Sequence, residues 1–290
     1  MTTKINKLNF HQFIKKVKDG LLIDNLIIGQ FEFIHKGHLH LFSNLDKFSF
    51  LTFKNNPSKN AYFFDFDNRI NNLEKFNPEY IFIFDILEHN MNALEFINTY
   101  LKEINPKNII VGSDFHFGKD KIGDINLLSK YFNVHIIERD IRYSSHNILE
   151  MLENGKLDNA LELLAIPIYF DGIVVKNSQV GRQLGYPTAN LVLDNKCKML
   201  HGSYASIVIY DNKEYMGLSF LGNSKTLNSS KLFFETYIFD FDEEIYGENI
   251  IVYPKTFIRK SDKFNSRDAL IASIKADEQF AKNFFKTYKK

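Results

Sequence analysis

Short apolar runs alternate with amphipathic segments through the first half of the chain. The runs are rich in β-branched and aromatic residues and predict strands at 21–29, 48–53, 80–86, 108–112 and 134–138. Between them, residues 92–104 carry apolar side chains three to four positions apart, and 145–164 reads as one or two helices broken near Gly155. Strands separated by helices predict a parallel sheet with crossover helices.

The pattern changes after Ile166 and Pro167. Successive β-rich runs follow, separated by turn residues and without an intervening helical pattern, which indicates an antiparallel barrel or sandwich. The chain closes with an amphipathic segment that Ser266 is suited to cap. Its predicted apolar face consists of Leu270, Ile274, Phe280, Ala281 and Phe284. We therefore predict two domains, 1–165 and 166–290.

Composition agrees with this division and narrows the class of protein. At 290 residues the chain has the length of two ordinary domains, and 44% hydrophobic with 24% charged residues is typical of globular proteins. Lys and Arg number 36 against 35 Asp and Glu, so no overall field favours nucleic acid or an anionic membrane. A single cysteine, Cys197, excludes an internal disulfide. With no long apolar stretch and no leader-like start, we expect a soluble, cytoplasmic protein.

The first candidate site follows the first predicted strand. Residues 26–38 read LIIGQFEFIHKGH, with the strand ending at Gly29 and a helix expected to start near Gly37. A helix N-terminus at the end of a parallel strand suits phosphate groups, which Gly37 would let approach the backbone. His35 and His38 can donate hydrogen bonds to phosphate oxygens. A solvent-exposed loop and a metal site remain the alternatives.

The second candidate site is the segment GRQLGYPTAN, residues 181–190. Gly181 and Gly185 allow tight turns and Pro187 stiffens the loop. Thr188 and Asn190 lie two apart, so an extended backbone places their oxygen atoms on one side. Such oxygen ligands suit Mg²⁺ that carries nucleotide phosphates. A purely structural turn would explain the glycines and the proline but not the Thr/Asn pair.

The first segment resembles the G-x-F-D-G-V-H-x-G-H motif of the bacterial FMN adenylyltransferase module, which has a Rossmann-like nucleotidyltransferase fold. Two later segments agree in order: VGSDFHFG (111–118) is similar to the V-G-x-D-F-x-F-G stretch, and RYSSHNIL (142–149) is similar to R-x-S-S-T-x-I-R. The resemblance implies that Asp114 lies near the ligands. It also implies that Arg142 and Ser145 contact nucleotide phosphates, alongside Gly29 and Gly37.

This chain departs from that pattern at several positions. Glu32 and Phe33 stand where the family has Asp-Gly, and a bulky Phe33 is expected to crowd the phosphate loop. His146 replaces the Thr, and Leu149 replaces the second Arg, which removes a bidentate phosphate donor. Asn56 stands where the family has His in its T-F-x-x-H-P stretch.

The second segment resembles the signature of riboflavin kinase. HGSYA (201–205) and FETYIFDFDEEIYG (234–247) are similar to later segments of that family, with Tyr237 in place of His and Glu244 in place of Asp. By this resemblance Glu235 falls on the catalytic carboxylate. Gly181 and Arg182 belong to the nucleotide-binding set, and Thr188 with Asn190 would hold Mg²⁺. The fold it implies is a riboflavin-kinase-type antiparallel β-barrel with a C-terminal helix.

Together the resemblances cover almost the whole chain, in the module order of bacterial bifunctional riboflavin kinase/FMN adenylyltransferase (FAD synthetase). They imply phosphorylation of riboflavin to FMN and adenylylation of FMN to FAD. ATP is the co-substrate, and no nucleic acid, membrane or obligate protein partner is expected. One alternative is a riboflavin kinase whose N-terminal domain is degenerate; another is a flavin-binding protein without turnover. The Asp and Glu residues at 240–244 are expected to form a simple turn.

Overall fold

The computed structural model describes residues 6–8, 22–56, 63–138, 140–177, 180–193, 197–226 and 229–288. The chain forms two compact units that interleave along the sequence. The first runs to Ser145 and takes in Leu164–Ile166, whereas the second contains His146–Leu163 and the chain from Pro167 onward. The boundary at 165/166 stays a prediction.

The first unit is built on the parallel sheet that the sequence predicts. Its strands are β1 (Asn6–Leu8), β2 (Asn25–Ile28), β3 (Ser49–Lys54), β4 (Tyr80–Asp85), β5 (Asn108–Gly112) and β6 (Val134–Ile137). Their order is β1-β4-β3-β2-β5-β6, and every neighbouring pair is parallel. The sequence pattern did not predict β1, which adds a parallel edge beside β4.

The described helical segments of this unit are α1 (Lys36–Leu39), α2 (Phe66–Glu74), α3 (Ala93–Phe96, a π turn Ile97–Leu101, and Lys102–Ile104), a 3-10 turn (Lys119–Lys121) and α4 (Ile125–Ser129). Asp65 and Asn92 cap α2 and α3 by accepting backbone N–H bonds from Asn68 and Glu95. One face of the sheet packs on α3 through fully buried side chains such as Ile97.

The strand order fixes where this unit can bind a ligand. From β2 the chain moves to one side of the sheet through β3 and β4, and then returns to place β5 on the other side of β2. The carboxyl ends of β2 and β5 therefore flank a topological switch point, the place where open α/β sheets bind their ligands. Gly29 follows β2 there, and Asp114 follows β5.

The second unit is the antiparallel barrel that the sequence predicts. Its elements are α5 (Ser145–Glu153), α6 (Leu157–Leu163), β7 (Phe170–Ile173), α7 (Val180–Gln183), β8 (Ala189–Leu193), β9 (Gly202–Tyr210), β10 (Lys213–Thr226), β11 (Ser229–Ile238), β12 (Asn249–Lys260) and α8 (Arg267–Thr287). Ser145, the first residue of α5, belongs to the first unit. The strand order is β7-β12-β9-β10-β11-β8, and Val175 closes the seam by donating its N–H to Asn190 at 2.9 Å.

The C-terminal helix α8 packs on the outer face of the barrel. Ala281 and Phe285 are buried against Ala205, Leu218 and Phe239. The predicted cap is confirmed, because the Ser266 side chain accepts a hydrogen bond from the N–H of Ala269. The placement of Phe280 on the apolar face is wrong: its side chain is exposed, because the buried stripe runs through positions 277, 281 and 285.

A buried ion pair fastens α8 to two strands. Asp277 accepts hydrogen bonds from Nε of Arg259 on β12 at 2.9 Å and from Ser203 Oγ on β9 at 2.8 Å. Asp277→Ala should lower the free energy of unfolding by about 3 kcal/mol, because it leaves a partly buried guanidinium without its carboxylate. Urea denaturation followed by circular dichroism measures this loss. A change as small as that from Asp268→Ala, an exposed carboxylate on the same helix, would contradict it.

Candidate active sites

In the first unit, the loop after β2 is held in an unusual conformation. Phe31 has φ = 48°, in the left-handed region that non-glycine residues rarely adopt. Its ring lies over Gly29, where an added Cβ would come within 2.7 Å of a ring carbon. A side chain at position 29 would therefore displace the Phe31 ring, and the phosphate role of Gly29 stays a prediction.

A buried arginine supports this loop from beneath. Arg69 of α2 is 2% exposed and donates hydrogen bonds to the carbonyl oxygens of Gln30 and, at 3.1 Å, Phe53. These bonds join the ends of β2 and β3. Asn56, at the position where the resemblance has His, donates to the Gln30 side chain at 3.1 Å. The predicted site therefore rests on a polar network that the sequence pattern did not reveal.

The two histidines of the motif lie together. The rings of His35 and His38 stack with centroids 3.7 Å apart and an interplanar angle of 10°. His35 is buried and stands at the N-cap of α1, which is only one turn long. The expected helix is thus present but short, so it lacks the dipole of a long helix, and the phosphate contact predicted here stays a prediction.

The structure brings the Arg142–Ser145 segment against this histidine loop. A Cβ on Gly37 would lie 2.8 Å from Cβ of Tyr143, so the missing side chain of Gly37 allows the two loops to touch. The phosphate contact predicted for Gly37 stays a prediction. Ser145 is the first residue of α5, as the resemblance expects.

Arg142 is held by a neighbouring acid. Its Nε donates to both carboxylate oxygens of Asp140, at 3.0 and 2.9 Å, and its guanidinium lies 5.6 Å from the centre of the Tyr143 ring. The hydrogen bonds from Arg142 lower the pKa of Asp140 to about 2, and the same pair raises the pKa of Arg142. The guanidinium is therefore oriented by Asp140, and its contact with a phosphate stays a prediction.

Asp114 lies at the other side of the switch point. It is exposed on the turn after β5, and a Cβ on Gly112 would be 3.2 Å from its Oδ1. The loop that follows also exposes Lys119 and Lys121. The structure thus gathers the predicted residues of the first site around the ends of β2 and β5, while their contacts with ligands stay predictions.

The expectation that Phe33 crowds the phosphate loop is wrong. Phe33 is completely buried, and its ring packs against Phe63 at 5.3 Å and Phe64 at 6.0 Å between centroids. Glu32 is also buried and accepts a hydrogen bond from the N–H of Phe63 at 3.0 Å. The two departures point into the core of the unit, so they leave the loop surface open.

In the second unit, two residues that the riboflavin kinase resemblance singles out lie in one row of directly opposed residues across neighbouring strands. We call this the register row. Glu235 on β11 pairs with Asn190 on β8 and with Phe220 on β10. Directly opposed residues of antiparallel strands share a face, so these three side chains lie side by side. On the far side of Phe220, the row continues to Ser203 on β9.

The carboxylate of Glu235 is partly buried and has one fixed partner. Asn177 donates a hydrogen bond from Nδ2 to Oε1 of Glu235 at 3.1 Å. Burial raises the pKa of the Glu235 carboxyl above its ordinary value, and the hydrogen bond from Asn177 partly offsets this. A carboxylate with a raised pKa is suited to accept a proton.

Thr188 and Asn190 point to the same place, as their spacing predicts. Oγ1 of Thr188 donates to Oδ1 of Asn190 at 3.3 Å, and Nδ2 of Asn190 donates to the carbonyl of Thr188 at 3.1 Å. The two side-chain oxygens therefore converge beside Glu235.

Thr188 also lines a cavity of about 220 Å³ at one end of the barrel. Arg182, Pro187 and Thr188 form one wall, and the turn Asp242–Tyr246 forms another. Arg182 Nη1 lies 3.9 Å from a Glu244 carboxylate oxygen across it. The acidic segment expected to be a simple turn is thus a turn that also borders this cavity.

The helix α8 holds the 181–190 loop at two points. Arg267 donates to the carbonyl of Gln183 at 2.8 Å, and the Tyr186 hydroxyl donates to Glu278 at 3.3 Å. Tyr186 also packs edge-on against Tyr237, at 5.2 Å between centroids. Gly185 takes φ = 85°, the left-handed turn for which glycine is suited.

Comparisons with known proteins agree with both resemblances. A family model described as FAD synthetase matches residues 18–146, and one described as riboflavin kinase matches residues 164–285. Bifunctional riboflavin kinase/FMN adenylyltransferases of Buchnera aphidicola subsp. Schizaphis graminum and Mycoplasma pneumoniae are each 30% identical. They cover 94% and 90% of this chain, and 96% and 97% of their own lengths.

Two further proteins are similar to this chain, one of them much longer and the other described by a different function. A trifunctional protein RibF/MnmA of Mycoplasmoides gallisepticum is 42% identical over 94% of this chain, which spans only 41% of that protein's length. A crystal structure from Streptococcus pneumoniae, described as a macrolide-efflux protein, has 31% identity and a TM-score of 0.81 over 96% of this chain and 99% of its own. Among the described residues, no helix combines the length and hydropathy that a membrane span requires.

Proposed function

The chain belongs to the family of bifunctional riboflavin kinase/FMN adenylyltransferases, and from this premise we propose how its own residues carry out the two reactions. The second unit transfers the γ-phosphoryl group of ATP to riboflavin and forms FMN. The first unit joins FMN to the AMP part of ATP and releases pyrophosphate, forming FAD. Matches to both modules favour this function over a kinase with a degenerate first domain.

In the kinase reaction, Glu235 is the general base. It accepts the proton of the primary ribityl hydroxyl as the oxygen attacks the γ-phosphorus of ATP. The cavity beside Thr188 receives the phosphate end of ATP, with Arg182 on its wall. Phe220, 38% exposed in the register row beside Glu235, offers an apolar surface to the flavin substrate.

The observation that carries this proposal is the position of Thr188. It lines the cavity, and its side chain hydrogen-bonds Asn190, which is the register partner of Glu235. The strands β8 and β11 are direct neighbours, about 5 Å apart, so a phosphate held at Thr188 and Asn190 would lie close to a hydroxyl held by Glu235.

The oxygens of Thr188 and Asn190 fit a role as Mg²⁺ ligands. They lie 3.3 Å apart, and two adjacent ligands of an octahedral Mg²⁺ are about 3 Å apart at the usual bond length. In the described segments, His, Cys, Asp and Glu form no group of three that could hold a metal ion. When bound, Mg²⁺ would offset charge on the ATP phosphates.

In the adenylyl transfer, the FMN phosphate attacks the α-phosphorus of ATP and pyrophosphate leaves. His35 and His38 donate to the phosphate chain as charge develops, and Arg142 and Ser145 hold its oxygens. Gly29 provides the backbone surface of the loop, and Asp114 orients the ligand from the end of β5. Support comes from the gathering of these residues at the switch point of the sheet.

One assay tests the whole proposal. Purified protein is incubated with Mg²⁺ and ATP, and with either riboflavin or FMN, and the flavins are separated by chromatography. Formation of FMN from riboflavin and of FAD from FMN is expected. If FMN forms but FAD does not, the protein is a riboflavin kinase only. If flavin binds and no ATP is consumed, the protein is a flavin-binding protein without turnover.

Replacing Thr188 should reveal its metal role. Thr188→Val keeps the shape of the side chain but removes the oxygen, so the Mg²⁺ concentration for half-maximal kinase activity should rise by about tenfold or more. Titration of Mg²⁺ at saturating ATP and riboflavin measures it. Thr287→Val, at the end of α8, is the matched control. An unchanged Mg²⁺ requirement in Thr188→Val would remove this residue from the ligand set.

A cytoplasmic location is part of the proposal and rests on two supports. ATP is the co-substrate of both reactions, and the lone Cys197 fits a reducing compartment.

A further inference from the structure

The barrel seam places Asn177 beside the proposed base. Val175 bridges to Asn190 across the seam, and Asn190 is in turn the register partner of Glu235. Asn177 lies two residues beyond Val175, and its side chain reaches across Asn190's strand to Glu235. The contact therefore follows from closure of the barrel, which fixes how far the segment after β7 lies from β11.

The chemistry of this contact differs from that of an ion pair. An amide N–H that donates to one carboxylate oxygen fixes the side-chain rotamer and leaves the second oxygen to accept a proton. It favours the ionised form without adding a charge of its own. A base held by Lys or Arg would be stabilised more strongly and would be a weaker proton acceptor.

The register neighbours of Glu235 are uncharged, and the hydrogen bond to its carboxylate comes from the uncharged amide of Asn177. The neighbours on β8 and β10 are Asn190 and Phe220. The charged groups on elements farther along the row are engaged elsewhere: Arg259 with Asp277, Glu278 with Lys282, Lys176 over the Tyr246 ring, and Arg182 near Glu244.

We propose that Asn177 is a positioning residue of the kinase reaction, whose amide holds the Glu235 side chain so that its second carboxylate oxygen faces the ribityl hydroxyl. This inference rests on the proposed function of Glu235 as the base. Asn177 itself touches neither the phosphate nor the hydroxyl in this role and acts only through the carboxylate.

The test is the split between kcat and KM for riboflavin phosphorylation, measured at neutral pH with riboflavin and ATP each varied. Asn177→Leu has similar size but no donor, so its kcat should fall about tenfold, the effect of losing a hydrogen bond to a charged group. KM for each substrate should stay within about threefold of the wild-type value, because Asn177 does not touch them. Asn177→Asp keeps the shape of the side chain but donates no hydrogen bond as a carboxylate, so it should lose at least as much kcat as Asn177→Leu.

Controls separate the possible failures. Asn283→Leu, on the exposed face of α8, should keep the wild-type kcat and KM, and FAD formation from FMN together with the circular dichroism spectrum reports folding of each variant. A wild-type kcat in both Asn177 variants, or a loss that appears only in KM, would overturn the positioning role. If Glu235→Gln retains kinase turnover, the base assignment itself falls; if it is inactive while kcat of the Asn177 variants is unchanged, only this inference falls.

Discussion

Glu235→Gln should lower the kcat of riboflavin phosphorylation by about 10²–10⁴-fold, the usual contribution of a general base. The amide keeps the size of the side chain and cannot accept the proton of the ribityl hydroxyl. FAD formation from FMN and ATP should stay at the wild-type rate, because that reaction belongs to the first unit. Chromatographic assays of both products on the same protein preparation measure the two rates.

The pH dependence of the wild-type enzyme provides an independent check. The base works in its ionised form, so kcat falls as the pH drops through the pKa of Glu235. Because burial raises that pKa, the loss should begin at higher pH than for an ordinary glutamate. Glu214→Gln, an exposed glutamate on β10, is the matched control and should retain the wild-type rate. Kinase activity in Glu235→Gln within threefold of that control would remove the base assignment.

His38→Ala should lower the rate of FAD formation by about 10²–10³-fold and leave riboflavin phosphorylation unchanged. The imidazole lies half-buried on the loop at the switch point and stacks on His35, where it can donate to phosphate oxygens as charge develops. Pyrophosphate release with FMN and ATP as substrates measures the effect.

Two comparisons make that result specific. His135→Ala, on the exposed face of β6, should leave FAD formation unchanged. A loss caused by general unfolding would appear in the circular dichroism spectrum, whereas loss of a transition-state contact lowers kcat with the spectrum preserved. Full FAD-forming activity in His38→Ala would show that the phosphate contacts lie elsewhere, with the Lys119–Lys121 loop as the next place to test.

The strands were predictable because their sequence signal is local. Runs of β-branched and aromatic residues coincide with the observed strands to within a few residues, and NIIVG matches β5 over its whole length. Helix α2 was missed because FDNRINNLE contains few apolar residues, and its start depends on the cap formed by Asp65. The buried Arg69 carries no pattern of its own, since only the tertiary contacts of its guanidinium show that it supports the loop.

The sequence predicts which residues belong to the candidate sites, but it does not predict which of them contact one another. Thr188, Asn190 and Glu235 stood in recognisable segments, and their meeting depends on a strand register that no local pattern encodes. Phe33 illustrates the reverse case, because a motif position does not tell whether a side chain faces the ligand or the core. Asn177 was missed because a polar loop residue gains its role only from barrel closure.

The interleaved division of the chain has a consequence for separating the two activities. The helices α5 and α6 lie before residue 165, yet they belong to the second unit, where Asp158 accepts a hydrogen bond from Thr256 of β12. A polypeptide that begins at residue 166 would strip these helices from the barrel and expose the buried side chains beneath them. A kinase fragment that keeps both helices has to start no later than His146, and it then carries Leu164–Ile166, which belong to the first unit. No single cut of the chain therefore leaves both units complete.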